Sequence, residues 1–320
     1  MSQLKTWISA FRLRTLPLAS ATVLIGASLA DLNHSIDYTI TALCFTTAVA
    51  LQILSNLAND YGDFSKGTDS EKRVGNMRAL QSGNITPSQM RVAIVLFVVC
   101  SLLSGITLLY MGFEGIFNFQ FSIFLLIGLI AIAASIKYTI GKSAYGYSGL
   151  GDIAVFIFFG PVAIIGTFLL NTHFEFNFEN DWITLLPASA VGLLCTAVLN
   201  TNNIRDIEND KASNKLTIPV KIGLTNARIY HAFLIGVALL FFFIYSFMHN
   251  FHWVIFFQLP ASMFIIKNLV DVWKTLPSEA YNKFLKELSL GILFFVVIYI
   301  VTNSAAQTWN TIDGIMKIVK

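Results

Sequence analysis

The sequence predicts an all-α, polytopic membrane protein, with about nine transmembrane helices forming a single domain over 1–320. Three observations carry that prediction. Only 12% of the 320 residues are charged and 55% are hydrophobic, whereas a soluble domain is about 25% charged. Runs such as Ile40–Leu54, Val92–Tyr110, Phe119–Ser135, Ile153–Leu170 and Leu234–Phe247 carry few ionisable side chains or none. About 20 such residues suffice for a helix to cross a bilayer. The alternating ten-residue segments of a membrane β-barrel are missing from the sequence. This composition excludes a soluble enzyme, a nucleic-acid binder and a disordered chain.

The spans follow from hydrophobic runs bounded by polar, Gly or Pro segments. The first, 15–31, follows a basic start (Lys5, Arg12, Arg14) and ends near Ala27-Ser28-Leu29-Ala30. That pattern has some likeness to a secretory signal, but a chain with so many later spans needs no separate address, so a retained helix is expected. Met1–Phe11 is expected along the membrane surface, with Trp7 as an interfacial anchor. The second and third spans, 38–61 and 89–111, flank a connection bearing Lys66, Lys72, Arg73, Arg78 and Arg91. The fourth and fifth, 117–136 and 149–170, flank Lys137 and Lys142. Between the sixth and seventh, 183–204 and 227–247, stand Arg205, Lys211, Lys215, Lys221 and Arg228. Between the eighth and ninth, 251–272 and 285–305, stand Lys267, Lys274, Lys283 and Lys286.

The intervening connections, around Asp31–Asp37, Met111–Asn118, Asn171–Trp182 and Phe247–His252, carry no Lys or Arg. Nineteen of the 21 basic residues therefore fall on alternate connections. One mistaken span would scramble this order. The positive-inside rule puts the N-terminus in the cytoplasm. Cys44, Cys100 and Cys195, odd in number and far apart, are expected to be buried, inert thiols.

Acidic residues concentrate at two cytoplasmic helix ends. One cluster is Asn56-Leu57-Ala58-Asn59-Asp60-Tyr61-Gly62-Asp63, running on through Lys66, Gly67 and Asp69. The other runs from Asn200 to Lys211 and contains Arg205, Asp206, Glu208 and Asp210. At about 100° per residue, Asn56, Asp60 and Asp63 share one helix face, as do Asn203, Asp206 and Asp210. Facing carboxylates repel and need cations between them. Oxygen-only ligands favour Mg2+, which bridges carboxylates to substrate phosphates. Arg78, Lys142, Arg205, Lys211 and Lys215 are candidate diphosphate partners, Arg as a bidentate fork and Lys as a point charge. The positive-inside signal alone would also explain most of these cations.

These clusters resemble the two aspartate-rich motifs of the UbiA superfamily of intramembrane aromatic prenyltransferases. Asp206-Ile207-Glu208-Asn209-Asp210 is similar to its second, DxxxD motif. The first cluster, continuing into Lys66-Gly67-Thr68-Asp69, resembles the branch that prenylates 1,4-dihydroxy-2-naphthoate. Arg12-Leu13-Arg14-Thr15-Leu16-Pro17 is similar to that branch's Arg-Pro-Lys-Thr-Leu-Pro segment. Lys137-Tyr138-Thr139 and Tyr147-Ser148-Gly149-Leu150-Gly151-Asp152 are similar to its Tyr-Thr and Gly-Leu-Gly-Glu segments. Arg205-Asp206 through Lys215-Leu216-Thr217 is similar to its Arg-Asp…Asp…Gly-Lys-x-Thr pattern. The likeness covers about residues 7–225. Leu13, Asp152 and Asn214 depart from it, where proline, glutamate and glycine are usual.

The resemblance implies a UbiA-type bundle in the plasma (inner) membrane with its active site toward the cytoplasm. It implies two Mg2+ ions held by Asn56, Asp60 and Asp63 on one side and by Asp206 and Asp210 on the other, bridging a polyprenyl diphosphate. Asp60 and Asp206 would be catalytic through those ions. Tyr138 would stabilise the allylic cation in a dry pocket, and Asp152 would contact the acceptor. The implied reaction prenylates 1,4-dihydroxy-2-naphthoate with loss of CO2, giving demethylmenaquinone, the donor's tail lying in the lipid bilayer. Nucleic acid is not an expected partner. Two alternatives stay open: another aromatic acceptor such as 4-hydroxybenzoate, or a secondary transporter. Transporter sites tend to sit at mid-membrane between broken helices, whereas these clusters sit at one surface and few Gly or Pro interrupt the spans.

Overall fold

The computed structural model describes residues 3–32, 36–68, 74, 77–113, 115–116, 118–249 and 252–319, except the side chains of 180, 252 and 313–319. Asp69, Lys72 and Arg73 therefore lie outside the described residues. No strand occurs among those described. The helices are α1 (Gln3–Phe11), α2 (Leu16–Asp31), α3 (Tyr38–Ser65), α4 (Pro87–Gly112), α5 (Phe119–Lys137), α6 (Gly151–Ile157) and α7 (Ala163–Asn171). They continue with α8 (Phe178–Asp181), α9 (Leu185–Arg205), α10 (Ile207–Ala212), α11 (Ile218–Met248), α12 (Ile255–Lys274) and α13 (Ala280–Val319). Nine stretches among the described residues are long and apolar enough to cross a membrane. Six match the expected spans within a few residues, while the first begins at Gln3, the seventh at Ile218, and the ninth runs Ala280–Ile312.

Local chemistry sets several of the ends. Asp37 caps α3, accepting from the Thr39 and Ile40 amides. Thr86 and Gln89 form a reciprocal capping box ahead of α4, with Pro87 in the first turn. At 28 residues, α3 is about 42 Å long. That exceeds the ~30 Å hydrocarbon layer, so its acidic last turns project beyond the apolar zone.

Two apolar clusters organise the bundle. The larger joins α2, α7, α9, α11, α12 and α13 around Phe168, Val191, Phe242 and Phe295. The smaller joins α1, α3 and α4 around Leu54, Leu57 and Met90. Trp7 packs against the smaller cluster while Leu4, Lys5 and Ile8 stay exposed, the one-sided burial expected of a surface helix. Peripheral α4 and α5 expose rows of apolar side chains, including Val92, Leu96, Leu103, Leu126 and Ile130, which suits contact with lipid tails. Cys44 and Cys195 are buried as expected, but Cys100 is exposed because it falls on this outer face of α4.

The fifth span is not a continuous α-helix. Between α6 and α7 the residues Phe158–Val162 form a π turn containing Pro161, where the ring removes one backbone donor. There Gly160 meets Gly192 of α9 so closely that a Cβ on Gly160 would stand 3.1 Å from the Gly192 Cα.

Candidate active site

Both acidic segments are buried and meet at one end of the bundle. On α3, Asn56, Asp60 and Asp63 are all buried. Arg12 adopts a left-handed conformation (φ 51°) between α1 and α2, which turns the chain back over α3. Its guanidinium donates to Asp60 Oδ1, and Arg78 Nη1 reaches the same oxygen at 2.9 Å. Asn56 Nδ2 donates to the Phe11 carbonyl at 3.1 Å. The N-terminal segment is thus fastened to the first motif by both an amide and an ion pair.

Asp63 has different partners. Tyr147 donates to its Oδ1 at 2.8 Å, and Lys215 reaches its Oδ2 at 3.1 Å. Lys215 follows Asn214, whose φ is 55°. Asn tolerates this left-handed conformation better than most residues, which accounts for its standing where the resembling family has glycine. Burial alone lowers the pKa of the Lys215 ammonium, but Asp63 and Asp210 outweigh it and hold the value above the ordinary lysine range. Burial and Asp63 together raise the Tyr147 phenol. Tyr147 also meets Thr68 Oγ1 at 2.6 Å, and Lys66 sits 3.8 Å over its ring.

The second segment breaks at Asp206, which separates α9 from α10 with φ −95° and ψ 9°. Arg205 grips that carboxylate with two bonds, Nε to Oδ1 at 2.8 Å and Nη2 to Oδ2 at 2.6 Å. Its remaining donors reach Asn202 and Asn282, so Arg205 is fully buried and ties the motif to α13. Asn209 Nδ2 donates to the Thr68 carbonyl at 2.9 Å, joining the two acidic segments directly.

Between the segments opens a cavity of about 660 Å3. Asn56, Asn59, Asp63, Arg78, Asn203, Asp206, Asp210, Lys215 and Tyr138 line its polar end. Its walls descend along α3 as far as Cys44, about 28 Å from Asp63 at 1.5 Å per residue. The deeper lining is apolar or small, with Leu102, Gly105 and Ile106 on α4 and Phe124, Gly128 and Ile132 on α5. Phe158, Phe159 and Val162 of the π turn face it as well.

Five candidate residues, Lys142, Lys211, Asp152, Asp60 and Arg205, stand outside the lining of this cavity. Lys142 and Lys211 are exposed and outside its lining. Asp152 is buried behind it, where Tyr230 donates to its Oδ1 at 3.3 Å. Asp60 lines a smaller recess of about 210 Å3, shared with Arg12 and Arg78. Tyr138 packs edge-on against Tyr145, the ring centroids 5.4 Å apart, and both line the main cavity.

Sequence reasoning missed Arg12, Tyr147, Gln52 and Asn59 as site residues. The carboxylates Asp63, Asp206 and Asp210, joined by Asn56 and Asn59, surround the cavity mouth with oxygen donors. Asn59 Oδ1 is buried with no hydrogen-bond partner among the described residues. No compact trio of His, Cys, Asp or Glu occurs among the described residues. Hard oxygens distributed around an open mouth suit Mg2+, which keeps positions for water and phosphate, better than a closed structural metal site.

Comparison with known proteins agrees with this geometry. A sequence model of the UbiA prenyltransferase family matches residues 19–297. The chain is 38% identical over 303 residues to the 1,4-dihydroxy-2-naphthoate octaprenyltransferase of Escherichia coli, covering 94% of this chain and 95% of that one. It is 36% identical over 300 residues to the Haemophilus influenzae protein of the same name, covering 93% and 95%. Among solved structures, the apo UbiA homologue of Aeropyrum pernix superimposes with a TM-score of 0.68 at 16% identity, covering 92% of this chain and 99% of that one. A UbiA homologue from Archaeoglobus fulgidus, solved with DMAPP and Mg2+, gives a TM-score of 0.52 at 16% identity, covering 90% and 98%. The chain, whose two acidic segments converge at one end of the bundle, belongs to the UbiA prenyltransferase family.

Proposed function

We propose that this protein transfers a polyprenyl group from its diphosphate to 1,4-dihydroxy-2-naphthoate in menaquinone synthesis. The observation that carries this reading is one cavity with a carboxylate-rich, cation-flanked mouth and an apolar interior about 28 Å deep. A diphosphate fits the first part and a polyprenyl tail the second. The relatives named for that naphthoate reaction, similar along nearly the whole chain, favour the acceptor.

Asn56, Asp63, Asp206 and Asp210 would hold Mg2+ at the mouth, with Asp60 recruited from its arginine pair. When bound, Mg2+ supplies charge neutralisation for the departing diphosphate. Lys215, Arg78 and Arg12 add fixed positive charge beside that leaving group. The bond from the allylic carbon to the diphosphate oxygen breaks, and a carbon–carbon bond to the naphthoate forms. CO2 leaves its bonding electron pair in the ring and diphosphate departs, with no net proton released from the carboxylate form, leaving the hydroquinone form of demethylmenaquinone. The Tyr138 face stands at the mouth, where a cation on the allylic carbon would be stabilised, and the apolar walls keep water from it. The positive-inside pattern supports a mouth that opens toward the cytoplasm, and the resemblance implies the inner membrane.

Mass spectrometry of products from purified protein tests the reading. The protein in detergent, with Mg2+ and a polyprenyl diphosphate, is offered 1,4-dihydroxy-2-naphthoate and 4-hydroxybenzoate in competition. The expected product is a prenylated naphthoquinone or naphthoquinol lacking the carboxylate. Prenylated hydroxybenzoate would move the acceptor to the other branch. Neither product from folded protein would overturn the reading.

A further inference from the structure

We infer that Gln52 is the residue that recognises a hydroxyl group of the aromatic acceptor, an inference that rests on the naphthoate reading. Gln52 lies on α3 one turn deeper than Asn56 and lines the cavity. It is nine-tenths buried, at 9% exposure. Its Nε2 donates to Thr15 Oγ1 at 3.2 Å, while its Oε1 has no hydrogen-bond partner among the described residues.

Hydrogen-bond parity fixes which end of the amide is free. Thr15 uses its own hydroxyl proton on the Arg12 carbonyl, at 2.9 Å. Thr15 Oγ1 can then only accept, and it does so from Gln52 Nε2 at 3.2 Å and from Asn56 Nδ2 at 3.4 Å. Flipping the Gln52 amide would set oxygen against oxygen with no proton between them. The unpaired atom facing the cavity is therefore an acceptor. A buried acceptor without a donor is costly, and polyprenyl diphosphate has none to offer, since its tail is hydrocarbon and its head is anionic. A phenolic hydroxyl is a donor of the right kind. Four residues from Asn56 along α3, the amide sits about 6 Å below the metal-binding mouth, where the acceptor ring must lie to reach the allylic carbon. A hydrogen bond from the phenol to Oε1 also shifts electron density into the ring and strengthens the attacking carbon.

The test compares 1,4-dihydroxy-2-naphthoate with its two monohydroxy analogues, lacking the 4- or the 1-hydroxyl. The proteins are the wild type and the Gln52→Met, Gln52→Glu and Thr15→Val variants. A site built around a substrate hydroxyl discriminates strongly against an analogue lacking it, so the wild type should favour the dihydroxy acceptor over one analogue by about 100-fold or more. Gln52→Met should reduce that ratio to about 3-fold by weakening the dihydroxy acceptor alone, leaving the KM for polyprenyl diphosphate unchanged. Gln52→Glu keeps an acceptor oxygen but sets its second oxygen against Thr15 Oγ1, so it should restore the ratio only in part, to above that of Gln52→Met. Calorimetric binding of the acceptors without donor should follow the same order. Equal losses for all acceptors in Gln52→Met would reduce Gln52 to a brace between α2 and α3 and overturn the inference, while Thr15→Val, which only loosens the amide, should lower the ratio less than Gln52→Met. Wild-type protein inactive on every hydroxynaphthoate would instead sink the functional reading itself.

Discussion

Lys215 and Asp63, 152 residues apart in the sequence, meet at 3.1 Å across the mouth of the cavity. The contact closes the ring of charge formed by the α3 end and the loop after α10, and both partners are buried. Removing one partner of a buried pair strands the other, at about 3–5 kcal/mol. Lys215→Met should therefore lower the midpoint of thermal unfolding in detergent by several degrees. Lys215→Met combined with Asp63→Asn should lower it less. A double variant as unstable as the sum of its parts would show that the two side chains do not act as a pair.

The same pair sets a pH expectation. The folded-state pKa of Lys215 lies above its ordinary value. Its contribution to stability is thus complete below the unfolded lysine value of about 10.4 and is lost only as pH climbs through the higher folded value. Thermal midpoints measured from pH 7 to pH 10 should show no loss that Lys215→Met abolishes. A wild-type decline between pH 7 and 9 that disappears in the variant would place the Lys215 titration lower than its surroundings require.

Asp206→Ala and Asp60→Ala should both abolish turnover, but with different structural costs. Asp206→Ala takes the carboxylate from Arg205, which still has Asn202 and Asn282 as partners. Asp60 leaves Arg12 and Arg78 facing each other without the carboxylate they share. Asp60→Ala should consequently unfold at the lower temperature of the two. Full activity of either variant, or persistent activity in excess EDTA, would contradict metal-assisted ionisation.

How much of this could be read in advance depended on how far each signal travels along the chain. The spans were legible because hydropathy is a local sum, and the acidic faces because helical periodicity relates residues within two turns. Arg12 was not, because its role depends on a left-handed turn that brings it to a carboxylate 48 residues away. Gln52 and Asn59 are neutral amides in an apolar helix, and only their missing partners mark them. Lys142 and Lys211 share charge and neighbourhood with Lys215, yet the turn at Asn214 directs Lys215 alone of the three into the cavity lining. The π turn around Pro161 was not among the expectations for the fifth span.

The glycine inside Asp60-Tyr61-Gly62-Asp63 has a tertiary cause. A Cβ at Gly62 would lie 2.7 Å from the Thr139 carbonyl carbon, a distance that backbone must move to relieve. Thr139 is anchored there by donating to the Ala58 carbonyl at 2.9 Å, and it follows Tyr138. Gly62→Ala should cost about 1–3 kcal/mol by overpacking and displace Tyr138 from the mouth. Activity should fall further than stability, with kcat affected more than the KM for the naphthoate. A variant of full stability and full activity would show that the α3–Thr139 contact is dispensable.

Gly128 presents the opposite case. It lines the cavity wall on α5, and a Cβ built there meets nothing within 4 Å. A leucine at this position therefore collides with no protein atom near its Cβ and occupies space that a prenyl tail would use. Because each buried CH2 contributes about 0.8 kcal/mol, a long donor excluded from the lower cavity loses affinity in proportion to the isoprene units displaced. A short donor that never reaches Gly128 loses little. Gly128→Leu should thus keep turnover with geranyl diphosphate within about 2-fold while raising the KM for an octaprenyl donor by about 10-fold or more. The measurement is a donor-length series on detergent-solubilised protein of unchanged thermal midpoint. Equal losses at every length would mean that the tail leaves the cavity above Gly128 and enters the bilayer there.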